Sequence, residues 1–316
     1  MTDVPFAKYE AAGNDFLVIS ARDLGFDRRG RGLRARHLAH LSRAILARHT
    51  GVGADGLFVV WPPADPGHQA AVQIFNADGS EAEMSGNGIR CAGAWLASGI
   101  RSQSAFRSAK RLREVVSALG RIMIETGAGL KELKLEGRRQ GQEFFRVAMG
   151  TPILEPREIP FGDGGVASPV VRYPLATSRG PIEVTVTSMG NPHCSILLKS
   201  FDDLDWRALG GEIERHPLFP RRTNVEFVKP VSRREIEVRF WERGVGETAS
   251  SGTGSSAAVV ASVLNGLADR AVKVRTQGGS LDVKWSSANQ IFLTGPVRRV
   301  ASGTYQYDDR RAFAGR

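Results

Sequence analysis

The chain has 316 residues, of which 41% are hydrophobic and 24% charged, and its formal net charge is +10. This length accommodates two domains with a core each, and the composition is typical of a globular protein. No stretch approaches the roughly 20 apolar residues of a membrane helix, and the first residues do not resemble a secretory signal. The two cysteines, Cys91 and Cys194, exclude a disulfide framework and lead us to expect a cytoplasmic protein.

The excess of basic residues raises the question of nucleic-acid binding. The arginines come mostly as scattered pairs, such as Arg28-Arg29, with one denser basic stretch between Arg107 and Arg113. A nucleic-acid-binding surface usually gathers its charge on one face and interleaves aromatic side chains. We therefore expect no nucleic-acid or membrane partner, and we interpret the charge as a solvated surface that attracts small anions. No spacing of histidines and cysteines predicts a metal site.

Helical and strand-like patterns alternate along the chain. Residues 37–49 place Leu38, Leu41 and Ile45 on one helical face, and we expect the histidines of this helix, His37, His40 and His49, to face solvent. Residues 104–119 predict a second helix with a basic outer face. Strands are predicted from apolar and alternating patterns at 71–75, 194–198, 236–240 and 281–285.

One arrangement of elements occurs twice. A strand and a polar loop lead into Ser85-Gly86-Asn87-Gly88 and a small, apolar helix in the first half, and into Ser251-Gly252-Thr253-Gly254 and a similar helix in the second. Gly13-Asn14 precedes the first copy as Gly190-Asn191 precedes the second. Two paired motifs in the same order predict a duplicated domain. The predicted lobes are residues 1–149, joined by 294–316, and residues 150–293.

Each Ser-Gly-x-Gly motif is predicted to begin a helix, where unbonded N–H groups and a partial positive charge attract anions. Glycine lets a ligand approach the backbone closely. The two motifs therefore predict two cradles for a carboxylate or phosphate, in a cleft between the lobes. The alternative is that each serine only caps its helix. The recurrence favours the functional interpretation, as do polar residues in the preceding loops, which are Asn76, Asp78, Glu242, Arg243 and Glu247.

Five segments together resemble diaminopimelate epimerase, a family related to proline racemases and phenazine-biosynthesis isomerases. They are AGNDF at 12–16, FNADGSEAEMSGNGIRCAG at 75–93, SMGNPHC at 188–194, TNVEF at 223–227, and ERGVGET with SGTGSSAA at 242–258. The resemblance implies an α/β (α+β) fold of two pseudo-symmetric lobes, each a sheet wrapped around a central helix, with the active site in the cleft. It implies inversion at Cα of LL- or meso-diaminopimelate by a two-base mechanism without a cofactor. The expected partner is this small amino acid, and a homodimer is compatible with the family.

The resemblance also assigns residues. In the family a cysteine precedes each Gly-x-Gly, and one thiolate removes the Cα proton while the opposite thiol donates one. The matching catalytic positions are Ser85 and Ser251. The residues matching the substrate-binding motifs are Asn14, Asn76, Gly86, Asn87, Asn191, Asn224, Glu242, Arg243, Gly252 and Thr253, with His193 in an accessory polar role. We expect Cys91 and Cys194 to be buried structural thiols.

Serine at both catalytic positions departs from the family pattern. A thiol with a pKa of about 8.5 is readily activated, whereas a serine hydroxyl needs an adjacent base. Three explanations follow. The chain is a diverged relative that acts on another anionic amino acid or metabolite, with Glu242, Glu247, Asp78 or His193 handling protons; or the serines replace cysteines by design; or the chain is a binding protein that kept the cradles and lost the chemistry.

Overall fold

The computed structural model describes residues 1–25, 31–98, 120–162, 165–202 and 204–308, without the side chains of 31–34. The predicted helix at 104–119 and the basic stretch within it lie outside these ranges. The chain divides into two compact units, an N-terminal unit of Met1–Val147 with Pro296–Arg316 and a C-terminal unit of Ala148–Gly295. Among the residues described, no helix has the length and apolar character needed to cross a membrane.

In its described residues, the N-terminal unit has two α-helices and a sheet of mixed direction. The helices are α1 (Arg31–Leu46) and α2 (Gly86–Ser98). The strands are β1 (Thr2–Ala11), β2 (Asn14–Ser20), β3 (Gly56–Trp61), β4 (Ala70–Asn76), β5 (Glu81–Ala82), β6 (Ile122–Thr126), β7 (Gly129–Arg139) and β8 (Gln142–Gly150). Strand β1 pairs antiparallel with β2, β2 parallel with β3, and β3 antiparallel with β4. Strand β4 pairs antiparallel with β5 and parallel with β6, and β6, β7 and β8 follow antiparallel.

The C-terminal unit repeats this sequence of pairings. Its helices are α3 (Trp206–Glu214) and α4 (Gly252–Leu264). Its strands are β9 (Tyr173–Thr177), β10 (Gly180–Ser188), β11 (Pro192–Leu197), β12 (Asn224–Ser232), β13 (Glu235–Glu242), β14 (Gly246–Thr248), β15 (Ala271–Thr276), β16 (Gly279–Trp285) and β17 (Ile291–Tyr307), the last of which continues into the N-terminal unit. From β10 to β17 the directions are antiparallel, parallel, antiparallel, antiparallel, parallel, antiparallel and antiparallel. Because β1 to β8 pair in the same order, the predicted duplication is confirmed.

A buried helix lies at the centre of each unit. Residues Gly86–Leu96 of α2 are all buried, and its glycines admit large neighbours. Gly88 lies against the Phe58 ring, and Gly93 against Leu133 and Phe145. Helix α4 packs on β10, β11, β12, β13, β15 and β16. The small, apolar helix sequences therefore fold as central helices inside their sheets, and the expected fold class is confirmed.

Helix α1 corrects one expectation. Leu38, Leu41 and Ile45 are buried as predicted. His40 is not solvent-facing, because its Nδ1 atom lies 2.7 Å from the hydroxyl of Tyr307. The His37 ring packs edge-on against the same tyrosine ring, with centroids 5.4 Å apart. Only His49 is exposed. The prediction failed because Tyr307, near the end of β17, comes from a distant part of the sequence.

Candidate active site

The first Ser-Gly-x-Gly motif forms the start of α2. The half-buried Ser85 accepts a hydrogen bond from the Gly88 N–H through Oγ, at 3.1 Å, and through its carbonyl one from the Ile89 N–H, at 2.9 Å. Ser85 is thus an N-cap. The Gly86 N–H precedes the first intrahelical bond, so helix geometry leaves it available for an anion. The cap and the cradle are therefore compatible features of one motif.

Polar side chains beside this helix start form a connected network. The Asn87 carboxamide donates to Asn14 Oδ1 at 2.7 Å, and Asn14 donates to Asp55 Oδ2 at 3.2 Å. The Arg90 guanidinium, with 0% of its surface exposed, donates to Asn87 Oδ1 and to the Gly86 carbonyl, both at 2.9 Å. Burial lowers the pKa of Arg90 to about 10. The structure thus joins Asn14, Gly86 and Asn87, and it adds Arg90 and Asp55, which the sequence analysis missed.

Asn76 does not join this network among the described residues. It is exposed at the end of β4, where it donates to Ser80 Oγ at 2.9 Å. The Ser80 hydroxyl donates in turn to Asp78 Oδ1 at 2.6 Å. Hydrogen bonds from Ser80 lower the pKa of Asp78 below its ordinary value. These bonds hold the turn after β4, and they make Asp78 a poorer proton acceptor.

The second motif repeats the helix start at α4. Ser251 is 7% exposed, and its Oγ accepts from the Gly254 N–H at 3.2 Å. The Ser255 N–H donates to the Ser251 carbonyl at 2.9 Å. The N–H groups of Gly252 and Thr253 precede this first intrahelical bond, so they form the second cradle. Both predicted cradles therefore have the backbone geometry that an anion site needs.

Glu242 gives the second helix start a titratable group. It ends β13, its carboxyl is half-buried, and the Ser251 side chain at the helix start influences its pKa. Burial raises the pKa of Glu242 above its ordinary value, although the neighbouring Ser251 and His193 side chains act in the opposite direction. A carboxyl with a raised pKa can act as a general acid or base. In the N-terminal unit the corresponding strand, β4, ends at Asn76, which does not titrate.

His193 lies in a polar interior beside this motif. Its ring is 0% exposed, with Nδ1 2.6 Å from Glu226 Oε1 and Nε2 3.0 Å from Asn191 Oδ1. Ser195 donates to Glu226 Oε2 at 3.2 Å. The structure therefore joins the predicted residues His193 and Asn191. The sequence analysis missed Glu226, although a lone glutamate between Val225 and Phe227 in an apolar strand was a signal of a paired, buried charge.

The remaining predicted residues have other partners. Asn224 donates to the Pro192 carbonyl at 2.9 Å and accepts from the Arg243 N–H at 3.0 Å, so it holds the turn after β13. The exposed Arg243 side chain donates to the Arg221 carbonyl at 3.2 Å. Glu247 is bound by Arg207 at 2.6 Å, and this hydrogen bond lowers the pKa of Glu247.

The two cysteines are buried inside their units. Cys91 and Cys194 are each 0% exposed. Burial raises the pKa of both thiols well above the ordinary value. The prediction of buried thiols is confirmed, and neither cysteine occupies a helix start.

Comparison with known proteins decides the family. The model of the diaminopimelate epimerase family matches residues 6–154 and 185–300. The chain belongs to the diaminopimelate epimerase family. A diaminopimelate epimerase of Pelotomaculum thermopropionicum is 40% identical over 304 residues, covering 96% of this chain and 99% of the relative. One of Desulforudis audaxviator is 41% identical over 303 residues, covering 95% and 98%.

Solved structures support the fold. A hydroxyproline epimerase from Agrobacterium vitis matches with a TM-score of 0.66 at 17% identity, covering 98% of this chain and 94% of the other. A phenazine biosynthesis protein from Bacillus anthracis matches with a TM-score of 0.62 at 14% identity, covering 97% and 100%. Membership of the family makes the chain an amino-acid epimerase or isomerase by descent.

Proposed function

We propose that this chain binds LL- or meso-diaminopimelate and exchanges the proton on its reacting α-carbon without a cofactor, with Glu242 acting beside Ser251 as the proton-transfer group. The substrate class comes from the relatives, which carry the name diaminopimelate epimerase. The observation that carries the proposal is the half-buried Glu242 carboxyl at the end of β13, which lies near the Ser251 helix start and has a pKa raised by burial. A carboxylate can act where a serine hydroxyl alone cannot, because the hydroxyl is far less acidic.

Binding in this proposal uses the motif residues as the family resemblance assigns them. The resemblance assigns the carboxylate next to the reacting carbon to the N–H groups of Gly86, Asn87, Gly252 and Thr253. This contact stabilises the charge that develops on the carboxylate as the proton leaves, in the manner of an oxyanion hole. No nucleic acid or membrane takes part in this function.

Inversion of the carbon needs a second proton-transfer group on its opposite face, a role that the resemblance gives to position 85. Ser85 Oγ accepts the Gly88 N–H, and no carboxylate or imidazole bonds to it in the ranges that the structure describes. We therefore expect the α-proton to exchange with solvent faster than the carbon inverts. The chain then acts on the family's substrate mainly from one side.

The test is incubation of the protein with each isomer in D2O, measuring deuterium at Cα by mass spectrometry and stereochemistry by chiral chromatography. We expect deuterium uptake that exceeds inversion, and a loss of about 100-fold or more in Glu242→Gln. The Ser85→Cys, Ser251→Cys double variant is expected to invert the substrate. Uptake that is unchanged in Glu242→Gln would remove Glu242 from the mechanism.

Absence of uptake with either isomer would overturn the proposed reaction. Calorimetry then separates the alternatives, because a binding protein holds diaminopimelate without exchange. An isomerase of another amino acid instead binds a different member of an anionic amino-acid panel. Recovery of exchange only in the double cysteine variant would show an intact pocket that lacks its acid and base.

A further inference from the structure

A buried histidine–glutamate pair occupies the polar interior of the C-terminal unit. His193 and Glu226 are 0% and 1% exposed, and their Nδ1 and Oε1 atoms are 2.6 Å apart. In the parallel pair β11–β12, His193 lies opposite Asn224, two residues before Glu226. In the corresponding pair β2–β3, Phe16 lies opposite Gly56, two residues before Phe58. The His193–Glu226 pair therefore stands where the other unit has an aromatic pair.

The aromatic pair shows that this position of the repeated fold can be filled by apolar side chains. Phe16 and Phe58 pack edge to face with centroids 5.5 Å apart. Replacing a buried ion pair by apolar side chains is often neutral or stabilising, because both charges must leave water. The two glycines packed on the pairs correspond as well, since Gly88 lies against Phe58 and Gly254 lies near Glu226 Oε1. A polar, hydrogen-bonded pair at this position points to a role beyond packing.

The hydrogen-bond pattern indicates where the protons of the pair lie. An ionised carboxylate only accepts, so His193 Nδ1 must carry a proton toward Glu226. His193 Nε2 lies 3.0 Å from Asn191 Oδ1, and with the amide in this orientation the oxygen accepts from Nε2, so Nε2 carries a proton as well. The Nδ2 group of Asn191 has no hydrogen bond to the residues that the structure describes. It is therefore the group through which Asn191 can donate a hydrogen bond to a ligand.

We propose that Glu226 is a positioning residue that determines the side-chain amide orientation of Asn191, so that its NH2 group and not its oxygen faces the ligand. Glu226 holds His193 with both nitrogens protonated, His193 holds Asn191 Oδ1, and the Asn191 NH2 group is thereby directed to the ligand. This point of the site accepts a carboxylate oxygen and disfavours an ammonium group, because two donors would face each other. The identification of the ligand as a dicarboxylic amino acid rests on the proposed function, whereas the proton arrangement of His193 and Glu226 is independent of it.

The proton arrangement is tested in the ligand-free protein. Nitrogen-15 NMR at neutral pH distinguishes an imidazolium, with two N–H nitrogens, from a neutral ring with one. The His193 signal is identified among the 6 histidines by its loss in His193→Phe. We expect an imidazolium in the unsubstituted chain and a neutral ring in Glu226→Gln. The carboxyl of Glu242, whose charge also acts on His193, is present in both proteins. A neutral ring in the unsubstituted chain overturns the proposal.

The role in binding is tested by calorimetry with LL-diaminopimelate. In Glu226→Gln we expect a neutral His193 ring whose Nε2 accepts a hydrogen bond, so that the Asn191 amide turns its NH2 group toward His193. Because the NH2 group then no longer faces the ligand, the affinity for LL-diaminopimelate is expected to fall about tenfold or more. The matched control is Ser195→Ala, which removes the other hydrogen bond to Glu226 and is expected to change the Kd by no more than about twofold. Equal affinity of Glu226→Gln and the unsubstituted chain overturns the positioning role.

A second variant covers the case in which Glu226→Gln fails to fold. The double variant His193→Phe, Glu226→Phe copies the Phe16–Phe58 pair of the other unit, and we expect it to fold and to bind about tenfold or more weakly. Full affinity of this variant also overturns the positioning role. If the unsubstituted chain contains the imidazolium but binds no diaminopimelate, the proposed function fails while the proton arrangement stands.

Discussion

Substitution of Glu214 is expected to destabilise the C-terminal unit and loosen the turn that carries Arg243. Glu214 is the last residue of α3, and its side chain is 2% exposed. Its Oε2 accepts from Trp241 Nε1 at 3.0 Å, and its Oε1 accepts from the Gly244 N–H at 2.9 Å. One carboxylate thus connects α3 to the end of β13 and to the following turn. None of these bonds was visible in the sequence.

The size of the effect follows from the two buried hydrogen bonds. In Glu214→Gln an amide oxygen can replace only one acceptor, and the amide nitrogen faces the other donor. Losing a hydrogen bond to a charged group costs about 1.5–3 kcal/mol, and a buried donor left unbonded costs about 1–3 kcal/mol. The arginines at 3.6 and 3.9 Å, Arg222 and Arg215, are exposed and add little. We expect a loss of about 2–4 kcal/mol, or roughly 4–16 °C in Tm.

The effect is also expected to depend on pH. Burial acts to raise the pKa of Glu214, but the bonds from Trp241 and Gly244 and the two arginine charges outweigh it, so the pKa is lowered. The stability that Glu214 contributes is therefore fully present above the unfolded pKa of about 4.3 and is lost as the pH falls through the folded value. The difference between the unsubstituted chain and Glu214→Gln should be constant near neutral pH and should shrink in acid.

Urea denaturation followed by tryptophan fluorescence, at neutral and acidic pH, measures this difference. The control is Glu212→Gln in the same helix, whose partner is the exposed Ser178, and which should cost less than about 1 kcal/mol. A neutral-pH loss below about 0.5 kcal/mol in Glu214→Gln would refute the reasoning, since that is the usual effect of a surface substitution. An equal loss in the free energy of unfolding at neutral and acidic pH would also refute the reasoning.

Three further outcomes are expected. In Gly88→Ala the new methyl group would collide with the Phe58 ring, so the free energy of unfolding should fall by about 1–3 kcal/mol in denaturant titration. Because burial raises the pKa of Cys91 and Cys194, neither thiol should react with iodoacetamide until the protein unfolds, as followed by mass spectrometry. Deuterium exchange should decline as the pH falls, because Glu242 must be ionised to accept the proton. Since burial raises the pKa of Glu242, the midpoint of this decline should lie above the ordinary glutamate pKa of about 4.3. A midpoint at or below this value would contradict the role of Glu242.

The sequence predicted the repeated elements because their signals are local. Alternation of apolar residues placed strands that lie in or overlap β4, β11, β13 and β16, and small residues after each Ser-Gly-x-Gly predicted the central helices. Contacts between distant segments were beyond its reach. His40 bonds to Tyr307 across 267 positions of the chain, and no pattern around either residue indicates the other.

The sequence predicted which residues belong to the candidate site better than it predicted the contacts that these residues make. The motifs indicated Asn14, Asn87 and Asn191, but not what orients their amides. That orientation comes from Arg90 and His193, which are buried among groups brought together by strand register and helix packing. A sequence shows that a polar residue interrupts an apolar pattern, whereas its partner depends on tertiary structure.

The two units share their helix starts and differ in their titratable groups. Both place a serine N-cap before a Gly-x-Gly, yet the C-terminal unit adds Glu242 beside its serine, and the corresponding strand of the N-terminal unit ends at Asn76. If proton transfer limits the reaction, the serine without such a neighbour limits inversion. The single variant Ser85→Cys should therefore raise the rate of inversion more than Ser251→Cys does, as measured by chiral chromatography. The opposite order would mean that Glu242 does not compensate for the missing thiol.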